Sequence, residues 1–145
     1  MSVDKKEATD FMMFTAADVR IAARVRSSRY RRFRKDVTLR SKRDSGARTE
    51  YAKIMEDGFA HWMFYGHHTG KARDLDPWFL IDLDVLRDLH GAHGDAILAV
   101  KNKANGDGTY FNVIRPGDLV RKFNRPDLII DWEFDGLRHQ LPLGA

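Results

Sequence analysis

Val19-Arg20-Ile21-Ala22-Ala23-Arg24-Val25-Arg26 puts Val19, Ile21, Ala23 and Val25 on one side of an alternation and Arg20, Arg24 and Arg26 on the other. A period of two rich in β-branched residues predicts a half-buried strand, apolar side chains inward and arginines outward. Just before it, the apolar run Phe11-Met12-Met13-Phe14 ends in Thr15-Ala16-Ala17-Asp18. Together the two runs predict a β-hairpin whose second strand shows a row of arginines to solvent or to a ligand.

Working outward, Met1 to Asp10 is polar, and Ser27 to Lys35 is a basic connector with Tyr30 and Phe33 embedded in it. Asp36-Val37-Thr38-Leu39-Arg40 predicts a further short strand. Thr49 can cap a helix that Gly58 closes. His61 to Tyr65 predicts a buried strand ending at Gly66, and the polar stretch from His67 to Asp76 a loop. Pro77 opens a strand over Trp78 to Ile81, and Asp82 or Asp84 caps a helix over Val85 to His90 that Gly91 stops. Ala96 to Val100 reads as a strand, Asn105-Gly106-Asp107-Gly108 as a hairpin turn, and Thr109 to Ile114 as the returning partner. After the break at Arg115-Pro116-Gly117 come one or two helical turns over Asp118 to Phe123 and a last strand over Leu128 to Phe134. The expectation is one α+β domain over residues 1–145, with a mixed sheet of about seven short strands and two to three helices.

The chain has 145 residues, 25 Lys plus Arg, 21 Asp plus Glu, and no Cys. The absence of cysteine excludes disulfides, Cys-based zinc sites and thiol nucleophiles. No apolar stretch is long enough for a membrane span or a signal peptide, so a cytoplasmic setting is the default expectation. The formal net charge of +4 hides a polarised molecule: Arg20 to Arg48 holds 12 Lys or Arg against only Asp36 and Asp44. Such a segment needs counter-charge from phosphates, anionic lipid or an acidic partner. Nothing in it forms an amphipathic helix with a wide apolar face, which argues against a membrane surface.

The arginines therefore carry the first functional expectation. Arg20, Arg24 and Arg26 on the strand, then Arg29, Arg31, Arg32, Arg34 and Lys35, present cations along an extended backbone, flanked by Arg40, Lys42, Arg43 and Arg48. Guanidinium groups bind phosphates bidentately, and Tyr30 and Phe33 could stack on unpaired bases. Nucleic acid, DNA ahead of RNA, is the expected partner; an acidic protein surface bound by an adaptor is the alternative.

The carboxylates carry a second. Glu7, Asp10, Asp18, Asp36 and Glu50 surround the basic segment, and two or three acids converging on Mg²⁺ with a nearby lysine make a phosphodiesterase. A polar start, an Asp before a strand, a hairpin, a strand and a helix with Glu50 and Lys53 follow one another. Over roughly residues 5–66 this order resembles the PD-(D/E)xK restriction-endonuclease-like superfamily. The resemblance implies a Mg²⁺-dependent nuclease with catalytic residues among Asp10, Asp18, Asp36, Glu50 and Lys53, and Asp10, Asp36 and Glu50 as metal ligands. Asp10 would match the first acid, but the second would fall on Ala22 or Ala23. A second register takes Asp18 first and Asp36-Val37-Thr38 next, with Thr38 in the lysine's place; Glu50 and Lys53 share a helix face and could be a displaced pair. Without cleavage, and with no cofactor, the same fold would be a binding module.

Two His pairs, His67-His68 and His90 with His93 near Asp95, read as polar loops rather than a metal site. Trp62, Trp78 and Trp132, on strands with Phe64, Phe79 and Phe134, read as core.

Overall fold

The computed structural model describes residues 11–16, 18–71 and 74–138; Asp10 and Glu7 lie outside the described residues. The hairpin forms as expected: β1 (Met12–Ala16) pairs antiparallel with β2 (Val19–Arg26), and Asp18 makes the turn in the left-handed region at φ 65°. A 3₁₀ turn (Ser28–Phe33) leads to β3 (Val37–Arg43), then α1 (Glu50–Glu56), β4 (Trp62–His68), β5 (Leu75–Asp82) and α2 (Leu83–His93). After a second 3₁₀ turn (Gly94–Ile97) come β6 (Val100–Ala104), β7 (Thr109–Ile114) and α3 (Pro116–Phe123). A short 3₁₀ turn (Pro126–Leu128), β8 (Ile129–Phe134) and β9 (Leu137–Arg138) finish the described chain.

The class is α+β, but the strands divide into two sheets. One has the order β1-β2-β4-β5-β8-β9, and the other β3-β7-β6. Among the described strands only β2 and β4 run parallel; the chain between them supplies β3 and α1, so the arginine strand lies beside β4 and opposite the small sheet. No helix among the described residues is long and apolar enough to cross a membrane.

Several local expectations hold for the expected reason. Thr49 caps α1 by accepting from the Ala52 N–H, and the Asp82 carboxylate caps α2 by accepting from Asp84 and Val85. Others need correction. β4 runs through Gly66 instead of ending there: a Cβ at Gly66 would meet the Phe64 ring at 3.2 Å and the Trp78 Cβ at 3.3 Å, so this glycine admits the cross-strand Trp78. The strand therefore takes in His67 and His68, and Pro77 lies inside β5. α2 passes through Gly91, around which a side chain would meet nothing, and stops at Gly94, whose φ of 56° a side chain would resist. Ala96 and Ile97 close the second 3₁₀ turn, Leu98 and Ala99 are irregular, and the strand starts only at Val100.

One apolar cluster joins the layers: Ala22, Met63 and Ile81 from the large sheet, Val37, Leu39 and Ile114 from the small one, and Ile54, Leu83 and Leu86 from the helices. Trp132 packs against it, but Trp62 and Trp78 are only half-buried and alternate onto the opposite face with Phe64, where Trp78 and Phe64 stack at 5.7 Å.

Candidate nucleic-acid interface

The register of the parallel pair builds the site. Ala22 stands beside Met63, Arg24 beside Tyr65, and Arg26 beside His67, all on one face of the large sheet. Moving along β2, that face passes from apolar core to polar cleft, and the small sheet stands opposite. The expected polarity of β2 is therefore reversed at Arg24. The alternation directs this side chain to solvent, yet the residue is 5% exposed, whereas Val19, Ile21 and Val25 are only half-buried. The strand pattern locates the arginines correctly; what it cannot contain is a second sheet placed over them.

Burying a guanidinium requires partners. Arg24 donates through Nη2 to the Glu50 carboxylate in a short ion pair, and through Nη1 to the Thr38 carbonyl at 3.0 Å. Its Cζ lies 4.4 Å from the centre of the Phe11 ring. Desolvation lowers its pKa to about 10, which leaves it charged at neutral pH. Glu50 reaches this position because it opens α1, and its second oxygen accepts from the Arg40 N–H at 2.9 Å. Arg26 donates through Nη1 to Thr38 Oγ1 at 2.6 Å and to the Tyr65 hydroxyl at 3.1 Å, while Tyr65 also accepts from the Thr38 N–H. These bonds tie β2 and β4 to β3 across the gap between the sheets.

Around them lies a cleft of about 320 Å³. Arg24, Arg26, Arg40, Lys103 and Arg115 face it against two carboxylates, Asp36 and Glu50. Both carboxylates are already matched: Asp36 accepts from Arg115 Nε at 2.8 Å, and Glu50 holds Arg24. Arg26 and Lys103 have no carboxylate partner among the described residues. A register shift in β6 between Val100 and Lys103 explains how both residues line the cleft, because an unbroken strand would point positions three apart to opposite faces. Asn102, at φ 49°, lies in that bulge and donates its N–H to the buried Asn112 side chain at 2.9 Å.

His67 is the residue that the loop expectation misplaces most. It is 2% exposed, lines the cleft, and its Nδ1 has no hydrogen-bond partner among the described residues. Burial, reinforced by the charges of Arg26 and Arg31 and opposed by Asp36, lowers its pKa to about 4, so the ring is neutral at physiological pH.

The remaining basic residues fall into two groups. Several are occupied by the protein itself. Arg20 donates to the Gly58 carbonyl at 3.2 Å, Arg31 to the Asp76 carbonyl at 3.0 Å, and Arg34 pairs with Asp135. Arg48 pairs with Glu56 and Asp57. Arg29, Arg32 and Lys35 are exposed on or beside the 3₁₀ turn and form no ion pair among the described residues; Lys42 extends over Tyr110, with its amine 5.1 Å from the ring centre. Arg43 stands on β3, and its Nε has no hydrogen-bond partner among the described residues. Arg26 and Arg29 cover the Tyr30 ring at 4.4 and 4.9 Å, and Arg32 lies 4.7 Å from the centre of Phe33, which is 43% exposed. Tyr30 is thus engaged by guanidinium groups, and Phe33 is the more open ring.

Among the expected catalytic acids, Asp36 and Glu50 both border the cleft, each bound to an arginine, while Asp18 is exposed in the β1–β2 turn and Lys53 is exposed on α1. Ala22 and Ala23 at the second acid position are buried. Among the described residues no group of three or more His, Cys, Asp or Glu could hold a metal ion; Asp10 lies outside them. Sequence reasoning misses Tyr65, His67, Lys103, Tyr110 and Arg115 as cleft residues. The spacing of Tyr65 and His67, two apart on one strand, is the available signal, and it is hidden when the strand is taken to end at Gly66. Compared with known proteins, the chain matches no protein-family model, no curated protein and no solved structure.

Proposed function

We propose that this chain binds nucleic acid, with the cleft between the two sheets and the adjoining 3₁₀ turn as its contact surface. The observation that carries this reading is the cleft's imbalance: its two carboxylates are consumed by Arg24 and Arg115, leaving Arg26 and Lys103 to seek an anion. Arg29, Arg32 and Lys35 continue that cationic surface on the turn, beside the open ring of Phe33. Phosphates supply repeated counter-charge, and aromatic rings beside guanidinium groups suit bases of any sequence.

The test is a mobility-shift titration of labelled DNA and RNA at two salt concentrations, comparing wild type with an Arg29→Ala, Arg32→Ala, Lys35→Ala protein. These side chains hold no ion pair among the described residues, so their removal leaves the fold's own ionic network intact. Affinity should fall and the slope of log affinity against log salt should flatten by up to about three, roughly one for each phosphate no longer neutralised. An unchanged slope overturns the assignment of the turn, and absence of binding to any nucleic acid at low salt overturns the function.

A further inference from the structure

Within that reading, on which the inference rests, the geometry points to a narrower ligand: we infer that the cleft takes one unpaired nucleotide of a single strand, its phosphate held by Arg26 and Lys103, and excludes a base still paired in a duplex. Three independent features converge on this. The first is size. A cleft of about 320 Å³ sits at the lower end of the range that small-ligand sites occupy, roughly 300–1,000 Å³, and so admits one nucleotide-sized group at a time. A base fits into a space of that size only when it has left the stack and its pairing edge is open.

The second is the distribution of charge. Arg26 on β2 and Lys103 on β6 belong to different sheets, so they present cations from two walls of the cleft rather than along one exposed ridge. A ridge would track the outside of a duplex, whereas opposed walls enclose a single phosphate group. The β6 bulge is what turns Lys103 inward, a local irregularity that the small sheet would not need for its own pairing.

The third is His67. Its Nδ1 is buried, unpartnered among the described residues and contributed by a ring beside the Tyr65 ring at 5.9 Å between centres. Buried polar atoms without partners are uncommon in folded proteins and call for an explanation. A neutral imidazole offers a hydrogen bond without charge, which matches the edge of a nucleobase better than a phosphate. The phosphate has the arginine and lysine; the base edge has the histidine, with Phe111 and Tyr110 lining the same space.

The test uses the full chain with a fluorescently labelled single-stranded oligonucleotide, the same sequence as a blunt duplex, and a nucleoside monophosphate as competitor. Single-strand affinity should exceed duplex affinity by at least about tenfold, and the monophosphate should displace the strand at millimolar concentration. Lys103→Ala removes an exposed side chain on an edge strand and should fold normally. It should weaken single-strand binding several-fold and lower the salt slope by about one, with duplex binding unchanged. Equal affinity for duplex and single strand, or a Lys103→Ala protein that binds single strands as wild type does, overturns this inference while leaving nucleic-acid binding intact. No binding to either form overturns both.

Discussion

Two arginines reach α1 from its two ends. At the start of the helix Arg24 meets Glu50 with side chains 5% and 14% exposed; at its close Arg48 meets Glu56 and Asp57 with all three about half exposed. The residue types are alike, and in the sequence both cations belong to one basic block. What differs is the solvent. At Arg24 water has been replaced by the small sheet, so each charge depends on the other and on the Thr38 carbonyl. At Arg48 water screens both partners, and the ion pair is one arrangement among several of similar energy. The basic segment is accordingly two things: part framework, locked by β2, β4 and α1, and part free surface on the turn from Ser28. On the proposed reading, a ligand meets Arg29, Arg32 and Lys35 of the second part, with Arg26 at the edge of the first and Lys103 across the cleft.

The sharpest way to break this distinction is Glu50→Gln. The amide keeps an oxygen for the Arg40 N–H but leaves the buried Arg24 charge without its counter-ion. Removing one partner of a buried pair costs about 3–5 kcal/mol, and chemical denaturation should show a decrease in that range. The double variant Arg24→Met, Glu50→Leu removes both charges, and stability should return most of the way. If Glu50→Gln costs less than about 1 kcal/mol, the pair is solvated like Arg48 and the contrast between the two ends of α1 disappears. A Mg²⁺ titration in the same experiment addresses the nuclease alternative: metal-dependent stabilisation that disappears in Glu50→Gln would mean that this carboxylate serves a metal as well as Arg24.

A second prediction extends the comparison from arginine to histidine. The burial that raises the stakes at Arg24 also holds His67 neutral, at about 4 against an ordinary 6.5. Its folded pKa lies below its unfolded one, so between these values the unfolded chain binds more protons, and stability falls as pH drops through that window. Lowering pH from 7 to 5 should cost the wild type about 2 kcal/mol more than it costs His67→Gln, since the carboxylates titrate alike in both proteins. Matching pH profiles for the two proteins would place His67 in water and remove it from the cleft.

How much of this is legible in the sequence follows the same line between local and assembled structure. The hairpin, the Thr49 and Asp82 caps, the Asn105–Gly108 turn and the α+β class rest on interactions within a few residues, and each is readable. The division into two sheets is not, because Val37-Thr38-Leu39 pairs with Ile114-Val113-Asn112, more than 70 positions away. That single long-range pairing reverses the meaning of β2 beyond Arg20: Arg24 and Arg26, which alternate outward from their own strand, face inward once β3 lies across from them. The same pairing brings Arg115 to Asp36. His67 escapes notice for a smaller reason. Glycine usually ends a strand, and only the close approach of Gly66 to Phe64 and Trp78 shows that here it continues one.

The smallest expected effect comes from the exposed end of the comparison. Arg48 donates to Asp57 Oδ2 at 2.8 Å and to Glu56 Oε2 at 2.8 Å, and these bonds raise its pKa and lower that of Asp57. By geometry alone this cluster, with two carboxylates on one guanidinium, looks stronger than Arg24 with Glu50. By solvent exposure it should contribute far less: Arg48→Ala is expected to cost only a small fraction of what Glu50→Gln costs, and most of that should vanish in 1 M salt, where screening acts within about 3 Å. Glu50→Gln should keep its full cost in the same salt, because no counter-ion enters a site 5% exposed. Salt dependence is thus the property that separates the two pairs independently of their size. If both costs shrink together as salt rises, burial is not what sets Arg24 apart from Arg48.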